Sequence, residues 1–169
     1  MRKLPFLVLA LLLLVACCRG EMKINGMPLL MLCQQAANNS WDVWSKRLLE
    51  DPYNPGWFAW GLSYAHRTFV DLYNLTGNRM WLDRAISWAD HLLNYSDVNG
   101  DGEPAWGNYN ETWGTSDYDF VEFTVHDGVI SVPLLELVQL IYGRDELARN
   151  VTLRGKADTY LDLVRRVVD

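Results

Sequence analysis

The sequence predicts an all-α protein composed of antiparallel helical hairpins, together with one long loop rich in aromatic residues. Apolar side chains recur every three or four positions through several long segments, which is the period of an amphipathic helix. Short turns containing Gly77 and Gly143 separate helical segments that follow one another directly. Residues 96–127 lack this period and are too numerous for a simple connection.

The first three predicted helices occupy the chain from Ser40 onward. The first begins at Ser40, whose hydroxyl can cap the amides of the first turn, and it ends before the proline-containing stretch 51–56. The second covers residues 57–75, with its apolar positions on one side, and ends at a glycine. Asn78 begins the third, which continues to Tyr95 and carries a wide apolar face. The second and third helices are therefore expected to form an antiparallel hairpin.

Two further helices are predicted after the long loop. One covers residues 128–142, with Asp127 as its N-cap residue, and is apolar nearly all round. Pro133 falls within its first two turns, where a missing amide costs little. After the turn at Gly143, a final amphipathic helix continues to the end of the sequence. We expect the first of these helices to be buried.

The N-terminal residues 1–16 have the composition of a secretory signal peptide. Two basic residues precede an apolar run that is too short to cross a bilayer comfortably. The end of this run, Leu14-Val15-Ala16-Cys17, resembles the lipobox of prokaryotic lipoproteins. That resemblance implies that Cys17 receives the lipid and anchors the protein to a membrane; the alternative is an ordinary signal cleaved near Gly20. The predicted organisation is a signal peptide at 1–16, a tether at 17–39 and a helical-hairpin domain at 40–169.

Charge and glycosylation motifs indicate an exported protein that does not bind nucleic acid. The chain has a formal net charge of −6, and an acidic surface repels polyanions at long range. Five N-glycosylation sequons exceed the number expected by chance, which favours an exported glycoprotein. The sequons lie at Asn38, Asn74, Asn94, Asn110 and Asn150. Cys18 and Cys33 could pair outside the cell.

The loop at 96–127 is the predicted functional site, because it combines acidic, aromatic and amide side chains. Loops of this length are usually functional or disordered, and the many aromatic residues argue against disorder. We predict that Trp106, Tyr109 and Trp113, together with Asp117, bind substrate, because flat apolar rings with polar tips suit sugar rings. The alternative is that these rings cover the end of the helical core.

Three residues near the end of the loop are predicted to be catalytic: Tyr118, Glu122 and His126. A Tyr and His pair can abstract a proton next to a uronate carboxylate and protonate the leaving oxygen. Two carboxylates can instead hydrolyse a glycosidic bond. The alternative for His126 is a hydrogen-bonded structural role beside a helix cap.

The start of the loop contains a pattern typical of calcium sites. Asp97, Asn99 and Asp101, followed by a glycine, match D-x-N-x-D-G, the first half of an EF-hand calcium loop. The bidentate glutamate expected at the twelfth position is replaced by Asn108. We predict a Ca²⁺ ion held by those three side chains and by the backbone carbonyl of Glu103. The alternative is a solvated Asx-rich turn.

One segment carries a family resemblance. The sequence Phe69-Val70-Asp71-Leu72-Tyr73-Asn74-Leu75-Thr76-Gly77-Asn78, followed by Trp81-Leu82-Asp83-Arg84-Ala85, resembles the hairpin signature of the (α/α) toroid enzymes. These include the C-terminal domain of glucuronyl C5-epimerases, polysaccharide lyases and glycoside hydrolases. The resemblance covers residues 57–169 and implies the N-terminal part of a toroid, with a truncated reading frame or an open helical array as the alternatives. An incomplete ring leaves apolar faces uncovered, so we expect a dimer or a C-terminal continuation.

These features together predict an exported, lipid-anchored domain that binds or processes a polysaccharide or glycan. If it is an enzyme, an epimerase or lyase acting on uronic-acid polysaccharide is expected before a glycoside hydrolase. The alternative is a non-catalytic cell-surface binding or scaffold protein whose loop is stiffened by calcium. The sequence has no nucleotide-binding, zinc-hydrolase or serine-hydrolase motif.

Overall fold

The computed structural model confirms the all-α class. It describes residues 22–50, 55–108, 121–122 and 124–168. The helices are α1 (Leu29–Glu50), α2 (Pro55–Trp57), a π-helix (Phe58–Leu62), α3 (Ser63–Thr76), α4 (Arg79–Asn94), α5 (Thr124–Gly143), α6 (Asp145–Ala148) and α7 (Val151–Val168). The short strands β1 (Lys23–Ile24) and β2 (Met27–Pro28) pair in antiparallel fashion, as do β3 (Gly107–Asn108) and β4 (Val121–Glu122).

The chain divides into two compact units, residues 1–42 and residues 43–169. In the first unit, β1 and β2 are joined by a turn at Asn25 and Gly26, both with positive φ. The helix α1 begins directly afterwards and continues past Ser40. The prediction that Ser40 is an N-cap residue is therefore wrong, because that residue lies inside a helix. Residues 22–39, predicted as a tether, contain the β-hairpin and the first half of α1.

The second unit is built around α3, which packs against α4 and α5, while α5 packs against α7. The break between α3 and α4 lies where the sequence predicts it. Gly77 adopts the left-handed conformation that ends α3, and the Asn78 side chain accepts a hydrogen bond from the Met80 amide at the start of α4. The largest fully buried side chains in this unit are Trp81, Trp88, Trp106, Tyr160, Phe58 and Phe69.

The helix α5 begins earlier than predicted, at Thr124. Asp127 consequently lies in its first turn and is not its N-cap residue, and Pro133 lies well inside the helix instead of within the first two turns. Among the described residues, only α5 is long and apolar enough to cross a membrane by length and composition. A core helix has the same properties, and α5 contacts α3, α4 and α7.

A polar cluster connects α4 to α7 across the core. The carboxylate of Asp90 accepts hydrogen bonds from the Tyr160 hydroxyl at 2.6 Å and from Lys156 Nζ at 2.6 and 2.7 Å. Burial and the Asp90 carboxylate raise the pKa of Tyr160 above its ordinary range, so its hydroxyl remains a donor. This cluster adds charge-assisted hydrogen bonds to the contacts that hold α7.

The π-helix adjoins the N-terminal end of α3 and leaves one carbonyl group, that of Phe58, available to Ser63. Both the backbone amide and the side-chain hydroxyl of Ser63 donate to this carbonyl. Gly61 lies against the ring of Trp44, and a Cβ atom at this position would overlap that ring. Single π-turns within helices occur frequently at functional sites. Trp60, which belongs to this π-helix, is exposed.

Candidate functional site

Several residues of the predicted site lie outside the described residues. These are Tyr109, Trp113, Asp117 and Tyr118 in the loop, and Cys17 at the predicted lipidation site. The described part of the loop consists of its beginning, residues 96–108, and the strand β4 near its end. Strand β3 pairs with β4, with Gly107 opposite Glu122, so the beginning and end of the loop lie side by side.

Trp106, predicted to bind substrate, lies in the core. Its side chain is only 1% exposed, and its indole nitrogen donates to the carbonyl of Leu92 at 3.0 Å. Its backbone amide donates to Oδ1 of Asp127 at 3.2 Å. No face of this ring is open to a ligand in this structure, so Trp106 has the covering role that was the alternative at this position.

Glu122 and Asp127 lie close enough for the charge of Asp127 to affect the pKa of Glu122. The pKa of Glu122 is raised by desolvation and then by the negative charges of Asp127 and Asp101. The pKa of Asp127 is also raised by desolvation, and the hydrogen bond from Trp106 and the nearby His126 oppose this rise. The structure therefore brings together carboxylates from the predicted catalytic and calcium-binding sets.

His126, the third residue predicted to be catalytic, contacts Trp60. The indole nitrogen of Trp60 donates to Nε2 of His126 at 3.1 Å, and the two rings meet edge to face. The indole N–H can only donate, so Nε2 of His126 is the acceptor in this contact. The contact ties the first turn of α5 to the π-helix.

The predicted calcium loop forms a network of Asx turns. Asp97 accepts from the Gly102 amide at 3.2 Å, and Asp101 accepts from Nδ2 of Asn99 at 2.7 Å and from the Glu103 amide at 2.8 Å. Oδ1 of Asn99 is buried and has no hydrogen-bond donor among the described residues, so it could serve a cation. No group of three or more His, Cys, Asp or Glu side chains in the described part of the chain is arranged to hold a metal.

The sequence analysis missed a groove between α3 and α5. Its polar part is a cavity of about 480 Å³. The carboxylates of Asp71 and Glu136, the amides of Asn74 and Gln139, and the guanidinium of Arg144 line it. Ligand sites are concave and contain a few convergent polar groups, and this cavity has those properties.

The two carboxylates in the cavity differ in their partners. Arg67 lies 3.0 Å from Oε1 of Glu136, whereas Oε2 of Glu136 is buried without a hydrogen-bond donor among the described residues. Desolvation raises the pKa of Glu136, Arg67 opposes this, and the charge of Asp71 adds to the rise. Desolvation also raises the pKa of Asp71, and again Arg67 opposes it. These carboxylates have more acceptor capacity than the surrounding side chains satisfy.

The apolar part of the groove lies beside the polar part. A smaller cavity of about 180 Å³ is lined by Tyr64, Arg67, Val129 and Val132, among others. Arg67 belongs to this cavity and also pairs with Glu136 in the larger one, so the two cavities adjoin. Tyr64 is 59% exposed and Trp60, one helical turn before it, is 54% exposed.

The spacing of residues in the sequence contains a signal for this groove. Trp60, Tyr64, Arg67, Asp71 and Asn74 are spaced by four, three, four and three residues, which places them on one face of a helix. Trp60 and Tyr64 also belong to the recurring apolar positions from which the helix at 57–75 is predicted, yet both side chains are exposed.

In comparisons with known proteins, no family model, no curated protein and no solved structure matches this chain.

Proposed function

We propose that this protein is an exported, lipid-anchored carbohydrate-binding domain whose ligand lies in the groove between α3 and α5. The observation that carries the proposal is the combination of the exposed Tyr64 ring in the apolar part of the groove, with the exposed Trp60 one helical turn before it, and a polar cavity of about 480 Å³. Aromatic faces pack against the apolar faces of sugar rings, and carboxylate and amide groups accept hydrogen bonds from sugar hydroxyls. The signal-like N-terminus and the sequons support export.

The proposal includes the partial toroid architecture. In it, α3 with α4 and α5 with α7 are successive helical hairpins of an (α/α) toroid. The support is that the members of each pair pack against each other and that α3 and α5 are in contact. The groove then lies between the first helices of two adjacent hairpins, where an extended ligand could follow both.

Binding is preferred over processing of uronic acids on electrostatic grounds. A uronate ligand would place another carboxylate against Asp71 and Glu136, whose own charged forms are already disfavoured by desolvation. Arg67 and Arg144, the cations beside the cavity, already pair with Glu136 and hydrogen-bond Asn74 respectively. The groove thus supports recognition of hydroxyl-rich sugars more directly than proton abstraction next to a uronate.

Isothermal titration of the folded protein with neutral, β-linked oligosaccharides tests this function. Trp60→Ala and Tyr64→Ala should each lower the affinity about fivefold, because an aromatic contact is worth roughly 1 kcal/mol. Tyr142→Ala is the matched control: this exposed tyrosine of α5 bonds Asp158 of α7 and should leave the affinity unchanged. Absence of binding by a panel of neutral and charged oligosaccharides would overturn the function.

A second candidate is a cell-surface scaffold protein with a calcium-stiffened loop. The observation that favours it is the buried Oδ1 of Asn99, which lacks a donor among the described residues and lies in the D-x-N-x-D-G segment. A bound ion would raise the melting temperature by mass action. Millimolar calcium should raise it in the native protein and not in Asp97→Asn; an equal shift in both proteins, or none, would exclude this site. Asp162→Asn, an exposed change on α7, is the control.

A further inference from the structure

Two carboxylate groups in the polar part of the groove have unused acceptor capacity. Arg67 occupies only Oε1 of Glu136, and Oε2 of the same group is buried without a donor among the described residues. Asp71 is exposed to solvent and receives no hydrogen bond from another described residue, and its negative charge adds to the rise in the pKa of Glu136. A buried acceptor without a donor costs free energy, so a ligand that supplies donors here gains affinity.

The cations that line the cavity are already engaged. Nη2 of Arg144 donates to Oδ1 of Asn74 at 2.9 Å, and its guanidinium lies over the ring of Tyr73 at 4.9 Å and near Glu146. Arg67 is directed to Glu136. Each guanidinium group therefore already faces an acceptor of the protein, whereas Oε2 of Glu136 is a buried acceptor without a donor among the described residues. A ligand group that brings a donor to this oxygen compensates it, and an anionic group does not.

The neighbouring apolar part of the groove restricts the kind of amine that fits. Trp60 and Tyr64 lie on the same face of the helix as Asp71, and Val129 and Val132 of α5 line the wall opposite Tyr64. A compact metal ion or a simple polyamine would leave these rings uncovered. A chain of sugar rings that bears amino groups would cover the rings and also supply cationic donors.

We propose that the groove is selective for polysaccharides containing free amino sugars, with a hexosamine ammonium group between Asp71 and Glu136 and a neighbouring sugar ring packed on Tyr64 and Trp60. This inference rests on the proposed carbohydrate-binding function and names its substrate class. An ammonium group supplies three donors and one positive charge, which matches one vacant oxygen of Glu136 and the carboxylate of Asp71. An N-acetylated sugar lacks the charge, and a uronate reverses it.

The test compares four β-linked oligosaccharides of equal length, made of glucose, N-acetylglucosamine, glucosamine or glucuronate, by isothermal titration with the full chain. The glucosamine oligomer should bind at least about tenfold more tightly than the glucose oligomer, and the glucuronate oligomer most weakly. The advantage should shrink in high salt, because ion pairs at a partly exposed site are screened.

Variants separate this inference from the proposed function. Asp71→Asn and Glu136→Gln should remove the preference for glucosamine and retain binding of the glucose oligomer, whereas Asp162→Asn should change neither. Equal affinities for glucose and glucosamine oligomers in the native protein would overturn the selectivity and leave the function standing. Failure of all four oligomers to bind would overturn both. Tight binding of an oligolysine peptide with the same dependence on Trp60 would overturn the assignment to sugars.

Discussion

Arg67 of α3 and Glu136 of α5 form an ion pair, with Nη2 3.0 Å from Oε1, at the junction of the two parts of the groove. On one side lies the apolar part with Tyr64, and on the other the polar cavity with Asp71. The pair therefore connects the two walls of the groove. The second oxygen of Glu136 is buried without a hydrogen-bond donor among the described residues.

Replacing Arg67 by methionine should raise the pKa of Glu136 further, because the guanidinium opposes the effect of desolvation. The free energy of unfolding should fall by about 1 kcal/mol or less, since both side chains remain partly exposed. NMR titration of the Glu136 carboxyl group measures the pKa. Arg79→Met, which breaks the exposed pair with Asp83, is the control and should leave Glu136 unaffected. An unchanged Glu136 pKa in Arg67→Met would contradict the electrostatic account.

Acid should destabilise the protein through His66. Burial lowers the pKa of His66 from 6.5 to about 4, and its Nε2 donates to the Ala85 carbonyl at 2.9 Å. As the pH falls below 6.5, the unfolded chain takes up a proton that the folded protein does not, so stability is lost progressively down to about pH 4. The loss from this group approaches about 3 kcal/mol.

Urea unfolding at a series of pH values checks the role of His66. The carboxyl groups with raised pKa, including Asp71 and Glu136, act in the opposite sense, because their protonation favours the folded state. The comparison is therefore made with His66→Gln, which retains a donor for Ala85 and does not ionise. The difference between the two stability curves should slope between pH 6.5 and 4. A flat difference would show that His66 is not buried in its neutral form.

Substitutions in the cluster of Asp90, Lys156 and Tyr160, which joins α4 to α7, should lower the free energy of unfolding by unequal amounts. Tyr160→Phe removes one hydrogen bond to Asp90 and should cost about 1 kcal/mol. Asp90→Ala should cost more, about 2 to 3 kcal/mol, because it leaves the buried Tyr160 hydroxyl and the Lys156 ammonium without their acceptor. Denaturant unfolding measures both. A larger loss for Tyr160→Phe than for Asp90→Ala would contradict this ordering.

The variant Trp106→Phe tests whether Trp106 covers the core or binds the ligand. Trp106→Phe should lower the free energy of unfolding by about 1 to 3 kcal/mol, because it removes a buried ring segment and the bond to the Leu92 carbonyl. The affinity for oligosaccharides should not change, because the ring is 1% exposed. Parallel unfolding and titration experiments measure the two quantities. A loss of affinity without a loss of stability would restore Trp106 as a substrate-binding residue.

The sequence predicted those parts of the fold that depend on local chemistry. Helical periodicity and the left-handed Gly77 followed by the Asn78 cap identified α3, α4 and their boundary. The start of α5 was misplaced, because the Asp127 carboxylate, typical of an N-cap, instead accepts from the distant Trp106 amide. A contact of that kind depends on tertiary structure and has no signal in the local sequence.

The candidate groove was harder to predict, because it requires knowing which helices are neighbours. Arg67 and Glu136 are far apart in the sequence, and only the packing of α3 on α5 brings them together. Aromatic residues depart from expectation in both directions. Trp60, one of the apolar positions of the predicted helix 57–75, is exposed, and Trp106, predicted to bind substrate, is buried. Aromatic side chains suit both environments, so their type alone does not decide between them.

An NMR titration of the isotopically labelled protein with the glucosamine oligomer, following backbone amides and tryptophan indoles, tests ligand binding in the groove directly. A ligand in the groove should cause saturable shifts at the Trp60 indole and in α3 and α5 around Tyr64, Asp71 and Glu136, with little change in the calcium-like segment 97–103. Shifts confined to that segment or to the rest of the long loop, with α3 and α5 unperturbed at saturation, would contradict it.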